Sequence, residues 1–161
     1  MMTKLAAVVL SLLVLLTGCA DQRLPANDWI LKQNATCSDL EQASKSISEL
    51  FSLYFIGAVE PSDFENELDL LIIQLQLSQT QYTESKANIQ PATHSYASKS
   101  GQESLDSAYS ITLNFLKDSA NTEQSDLIYP YLEWRDSFIS YIATYLTVKS
   151  LIIESEEEFN E

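Results

Sequence analysis

Glycine occurs three times and proline four times in 161 residues. That scarcity disfavours turn-rich sandwiches and barrels, and it leaves no material for the glycine-rich loops that cradle phosphates or dinucleotides. Histidine is scarcer still. The single one, His94, stands in a polar stretch without a neighbouring Cys or Glu. Zinc hydrolysis, a Ser-His-Asp triad and a Glu-x-x-His di-iron centre all need more than this. Positive charge is also thin: nine Lys plus Arg stand against 23 Asp plus Glu, a net charge of −14. Such a chain is a poor partner for nucleic acid, because each phosphate contact works against its own field. Beyond residue 18 the only valines are Val59 and Val148, and no stretch alternates as a strand does.

What remains is an acidic chain of one-domain length. It is 45% apolar and only 20% charged, enough to bury an ordinary core. The first eighteen residues read separately from the rest. Lys4 supplies a positive start, Leu5–Leu16 (LAAVVLSLLVLL) is almost unbroken in aliphatic residues, and Thr17-Gly18-Cys19 closes the run. A run of that length suits a secretory signal and is short for a membrane-spanning helix, which needs about 20 residues.

Leu16-Thr17-Gly18-Cys19 resembles the lipobox of bacterial lipoproteins. The resemblance implies cleavage before Cys19, a lipid on its thiol and acylation (palmitate is typical) of the new amino terminus. Small residues at Thr17 and Gly18 admit the backbone to a peptidase, and only a thiol can form the thioether. Ala20, rather than Asp, follows the cysteine. Among Gram-negative members that favours the outer membrane, on its periplasmic face, over retention at the inner membrane. The likeness covers about twenty residues and carries nothing about the mature domain.

With Cys19 taken by lipid, Cys37 has no partner within the chain, so an intramolecular disulfide is excluded. Residues 19–37 read as a lipidated cysteine and tether. Ala20–Thr36 lacks periodicity and contains Pro25, so an extended stretch with an r.m.s. span of roughly 20–25 Å is expected. Trp29-Ile30-Leu31 is the exception: three large apolar residues need cover, from the domain, from a partner or from the membrane interface.

From Ser38 the period is helical throughout, and the bundle domain is expected over 38–155. Leu40, Ala43, Ile47, Phe51 and Tyr54 mark a first helix over 38–56, with Gly57 as its C-cap. Phe64, Leu68, Leu71, Leu75 and Tyr82 mark a second, and Leu105, Ala108, Tyr109, Thr112 and Leu116 a third. Three Ser-x-x-Glu boxes, at Ser38, Ser62 and Ser100, read as the starts of these helices. Cys37 then falls just before a helix, where the dipole would favour a thiolate; an inert, half-buried thiol is the expectation, with pairing to another chain or a reactive thiol as the alternatives. The fourth helix starts at Asp126 or Pro130 and reaches Glu154. It carries Tyr131, Trp134, Phe138, Tyr141 and Tyr145 on one line and Ile128, Leu132, Ile139, Ile142, Leu146 and Ile153 on its neighbour. So wide an arc predicts the central, most buried member. The expected fold is all-α, an antiparallel four-helix bundle preceded by a cleaved signal and a flexible tether. Residues 156–161 make a frayed acidic tail.

Chemistry is sparse in this pattern. Glu60, Asp63, Glu65, Glu67 and Asp69 place five acids in ten residues with no base among them. They satisfy a helix dipole, and they also offer a protein-docking surface. Together with Trp29, these are the candidate binding residues. No catalytic residue, metal ligand or cofactor is assigned. The expected role is a lipid-anchored, non-enzymatic assembly or accessory factor that binds an envelope or secreted protein. The alternative is an inhibitor or immunity lipoprotein whose acids meet a basic active-site rim. The pilotins, small helical lipoproteins that escort secretins, are an analogy of architecture alone.

Overall fold

The computed structural model describes the backbone of residues 26–86 and 95–159 and the side chains of 33–84 and 99–154. Four helices make up the domain: α1 (Ala26–Phe55), α2 (Pro61–Lys86), α3 (Ser95–Ser119) and α4 (Ile128–Phe159). A single 3₁₀ turn, Gln124–Asp126, leads into α4. No strand occurs among the described residues. Cys19 and His94 lie outside them, as does the signal segment.

Contacts fix how the helices lie. Asp39 of α1 meets Ser78 of α2, while Tyr54 stacks on Phe64 at 3.8 Å, so positions descend along one helix as they ascend along the other. The same opposed sense joins α3 to α4, where Thr112 meets Trp134 and Phe115 meets Tyr131. Packing is closest between α3 and α4. Each of α1 and α3 also touches every other helix, and no comparable contact joins α2 to α4. The cross-section is therefore a rhombus, with α2 and α4 at its outer corners.

The core follows the three-and-four spacing. Leu40, Ile47 and Phe51 of α1, Leu68 of α2, Leu105, Tyr109 and Leu116 of α3, and Tyr145 of α4 are all fully buried. Burying each such side chain contributes about 1.5–3 kcal/mol before entropy is counted. Phe51 is the hub of the end where α1 turns into α2. Its ring lies 5.1 Å from Phe64, 4.9 Å from Phe115 and 5.4 Å from Tyr131.

Gly57 ends α1 as its sequence position suggests. Its φ is +73°, Gly57 N–H donates to Tyr54 O at 3.0 Å, and Ala58 N–H donates to Leu53 O at 2.9 Å. This is a Schellman closure, which satisfies two carbonyls the helix leaves open.

Three of the four helices begin earlier than the sequence reading sets them, while α4 starts at Ile128, between its two expected starts. None of the three Ser-x-x-Glu boxes is a start. Ser38 and Ser100 are interior to α1 and α3, and Ser62 is the second residue of α2. Pro61 opens α2 instead, with Glu60 O accepting from Asp63 N–H and Phe64 N–H. Proline suits that place because its φ is pre-set and its absent N–H is not needed there. The expected extended tether is likewise overturned over Ala26–Thr36, which is helical. Gln33 and Thr36 are buried at its C-terminal end, next to buried Cys37. At the other end α4 runs on to Phe159, so the backbone of the acidic segment is helical through residue 159 rather than frayed there.

The expectation that α4 is the most enclosed helix is also overturned. One line of it is buried, from Leu127 through Trp134, Phe138 and Tyr145 to Ile152. On the neighbouring line Ile142 is covered, but Ile139 is 57% and Leu146 42% exposed. A corner position gives α4 neighbours on two sides only.

Candidate protein-docking surface

Glu60 caps α2, Asp63 lies in its first turn, and Glu65, Glu67 and Asp69 follow in the next. All five are exposed. Helical geometry, at about 100° per residue, sets Asp63 and Glu67 on one flank of α2 and Glu65 and Asp69 on the other. Between the flanks, directly away from Phe64, Leu68, Leu75 and Tyr82 on the buried side, runs a stripe the sequence reading missed. Leu70 is 51%, Ile73 53% and Leu77 60% exposed. The run Leu70–Thr83 (LLIIQLQLSQTQYT) contains no charged residue, so acids border this stripe only at its N-terminal end. The signal was present in the sequence as the surplus of aliphatics in LLIIQLQL, which one buried face of a helix cannot absorb.

Trp29, the other candidate, falls on the helical backbone of α1, and its side chain lies outside the described residues. The aromatic line of α4 is core. Trp134 and Phe138 are buried, and Trp134 stacks on Phe115 at 4.9 Å with planes 9° apart.

Buried polar groups are handled locally. Tyr109 OH shares a 2.7 Å hydrogen bond with Ser78 Oγ, which in turn donates to Asp39 Oδ2 at 3.4 Å. Tyr145 OH donates to Asn34 Oδ1 at 3.2 Å, and Tyr82 OH to the Gln102 carbonyl at 3.4 Å. Burial raises the pKa of all three phenols, with Asp106 adding to it at Tyr82 and Asp39 at Tyr109. They are neutral donors. Gln33 and Ser119 are the exceptions: Gln33, fully buried, has no partner for either end of its amide, and the buried Ser119 Oγ has none either.

Cys37 is buried inside α1 and free. Desolvation, reinforced by the Glu41 carboxylate and opposed by Lys149, raises its thiol to about 11. The inert, buried thiol agrees with the main expectation, and only the position just before a helix is corrected. The residue lies well inside the helix, and burial decides its state.

Two clefts open among the described residues. One of about 350 Å³ lies between α3 and α4, lined by Phe115, Trp134 and Pro130 with Asp118 and Glu133. The other, about 230 Å³, lies between α1 and α2 beside Asp39, Ser46, Gln74 and Ser78. Both are lined by hydroxyls and carboxylates, and neither lining includes His, Cys or Lys. Among the described residues no three or more His, Cys, Asp or Glu converge as metal ligands, and no helix is long and apolar enough to cross a membrane. Comparison with known protein families, with curated proteins and with solved structures finds no match for the chain.

Proposed function

We propose that this protein is a lipid-anchored component of the bacterial envelope that acts by binding another protein, as an assembly or accessory factor and not as an enzyme. The observation that carries the reading is the stripe Leu70, Ile73 and Leu77 on the side of α2 turned away from the core. Three large aliphatics aligned in solvent serve no purpose in the fold, whereas scattered single ones need no explanation. They supply the apolar centre of an interface, and Asp63, Glu65, Glu67 and Asp69 supply a charged margin. An inhibitor that met a basic rim through acids alone would not need the stripe. This favours an assembly role over the inhibitory one.

Anchoring rests on the lipobox-like Leu16–Cys19, and Ala20 after the cysteine supports the periplasmic face of the outer membrane over the inner membrane as the destination. Replacing Cys19 by Ser is expected to leave an unprocessed, unlipidated precursor; processed and membrane-held protein in that variant would overturn the anchor. For the binding role, the test is an affinity pull-down of the wild-type chain against Leu70→Gln/Ile73→Gln/Leu77→Gln. A specific envelope protein lost from the variant supports the reading, and identical retained partners would sink it.

A further inference from the structure

We propose that the outward face of α2 seats an amphipathic helix of the partner, one that carries Lys or Arg at the end lying beside Glu67 and Asp69. This rests on the protein-binding reading above and adds the chemistry of the occupant.

Leu70, Ile73 and Leu77 are three and four residues apart, so they form a straight ridge along the helix. A second helix laid alongside answers such a ridge with apolar residues at its own three-and-four spacing. Charge then orients it. From Leu70 to Thr83 the face offers Gln, Ser and Thr beside the aliphatics, so a helix lying there meets no unpaired charge. At the N-terminal end the ridge passes between Glu67 and Asp69, with Asp63 and Glu65 behind them, and α2 has no basic residue before Lys86. Cations at that end of the partner are attracted, and an acidic helix is turned away. The same acids oppose an anionic lipid surface. A second copy of the chain is disfavoured by mutual repulsion at net −14. The apolar line on α4 is the less complete seat, because Arg135 and Lys149 interrupt it.

The test places a photo-crosslinking residue at Ile73 in the full chain, in the cells that produce it, with a second version at the exposed Ile139 of α4. Captured peptides are mapped by mass spectrometry. The expected capture from Ile73 is a segment with helical apolar periodicity and Lys or Arg toward one end. Its yield should fall about tenfold in a Glu67→Lys/Asp69→Lys background, with helicity and melting temperature unchanged because both side chains are exposed. A neutral or acidic segment, a yield indifferent to the reversal, or capture of a second copy would each overturn the proposal. So would silence at Ile73 with capture at Ile139, although protein binding itself would then stand. Silence at both positions would remove the protein-binding reading together with the proposal.

Discussion

Trp134 Nε1–H donates to Thr112 Oγ1 at 3.0 Å across the buried seam of α3 and α4, and Thr112 Oγ1 passes its own proton to the Ala108 carbonyl at 2.7 Å. One hydroxyl thus satisfies an indole that has no route to water. Replacing Thr112 by Val keeps the shape and strands the N–H. A buried donor left unpaired costs about 1–3 kcal/mol. Thermal unfolding should move down by roughly 2–4 °C per kcal/mol in a chain of this size. Thr112→Ser should recover most of that loss, and equal melting temperatures for the Val variant and wild type would show that the bond contributes nothing.

Gln33 presents the opposite case. Its amide is buried with neither end partnered, so the wild-type residue already bears a desolvation penalty. Gln33→Met, similar in length and at ease in a helix, should stabilise the fold by about 1 kcal/mol. The check is the midpoint of denaturant unfolding, which should rise at constant slope.

At Gly57 the positive φ is the whole constraint, since a Cβ built there meets nothing within 4 Å. Gly57→Ala should therefore cost about 1 kcal/mol in backbone strain and produce no rearrangement. Asn, which tolerates the left-handed region better, should cost less. Both are read from melting temperatures.

Alkali should unfold the protein from within. The Cys37 thiol titrates at 9.0 in the unfolded chain and at about 11 in the fold, so the folded state holds a proton that the unfolded state gives up. The resulting stability is complete below pH 9 and is lost as pH climbs toward 11. Tyr82, Tyr109 and Tyr145 shift in the same direction from 10.0 and extend the loss above pH 10. Stability measured by denaturant titration at successive pH values should begin to decline near pH 9. In Cys37→Ala the decline should start about one unit later. A thiol reagent should label Cys37 only as fast as the domain opens.

The number of helices and the buried positions were legible because period is a local property. Leu40, Ile47, Leu68, Leu105 and Tyr145 repeat at the helical interval and are the residues the core encloses. The ends were not legible. Ser-x-x-Glu marks a helix start only where the chain before it is not helical, and both Ser38 and Ser100 follow backbone that is already helical, from Ala26 and from Ser95. For the site, the acids from Glu60 to Asp69 stood out by composition, whereas Leu70, Ile73 and Leu77 did not. Their spacing suits burial equally well, and which aliphatic line of a helix stays in water depends on where its neighbours stand. The same limit made α4 look central: Ile139 and Leu146 are exposed because a corner of the rhombus has too few sides to cover them.

The early start of α1 also changes the mechanics of the proposed anchor. With a lipid on Cys19 and the helix beginning at Ala26, seven residues at most connect bilayer to bundle, a fully extended reach of about 25 Å. That is a short leash and not a long cable. Asn34 lies level with Tyr145, so the end of the bundle held toward the lipid is also the end toward which α4 runs with its cluster of glutamates. Anchored so, the acidic end of the bundle would stay within about 25 Å of the bilayer, and a partner for the outward face of α2 would have to meet it there.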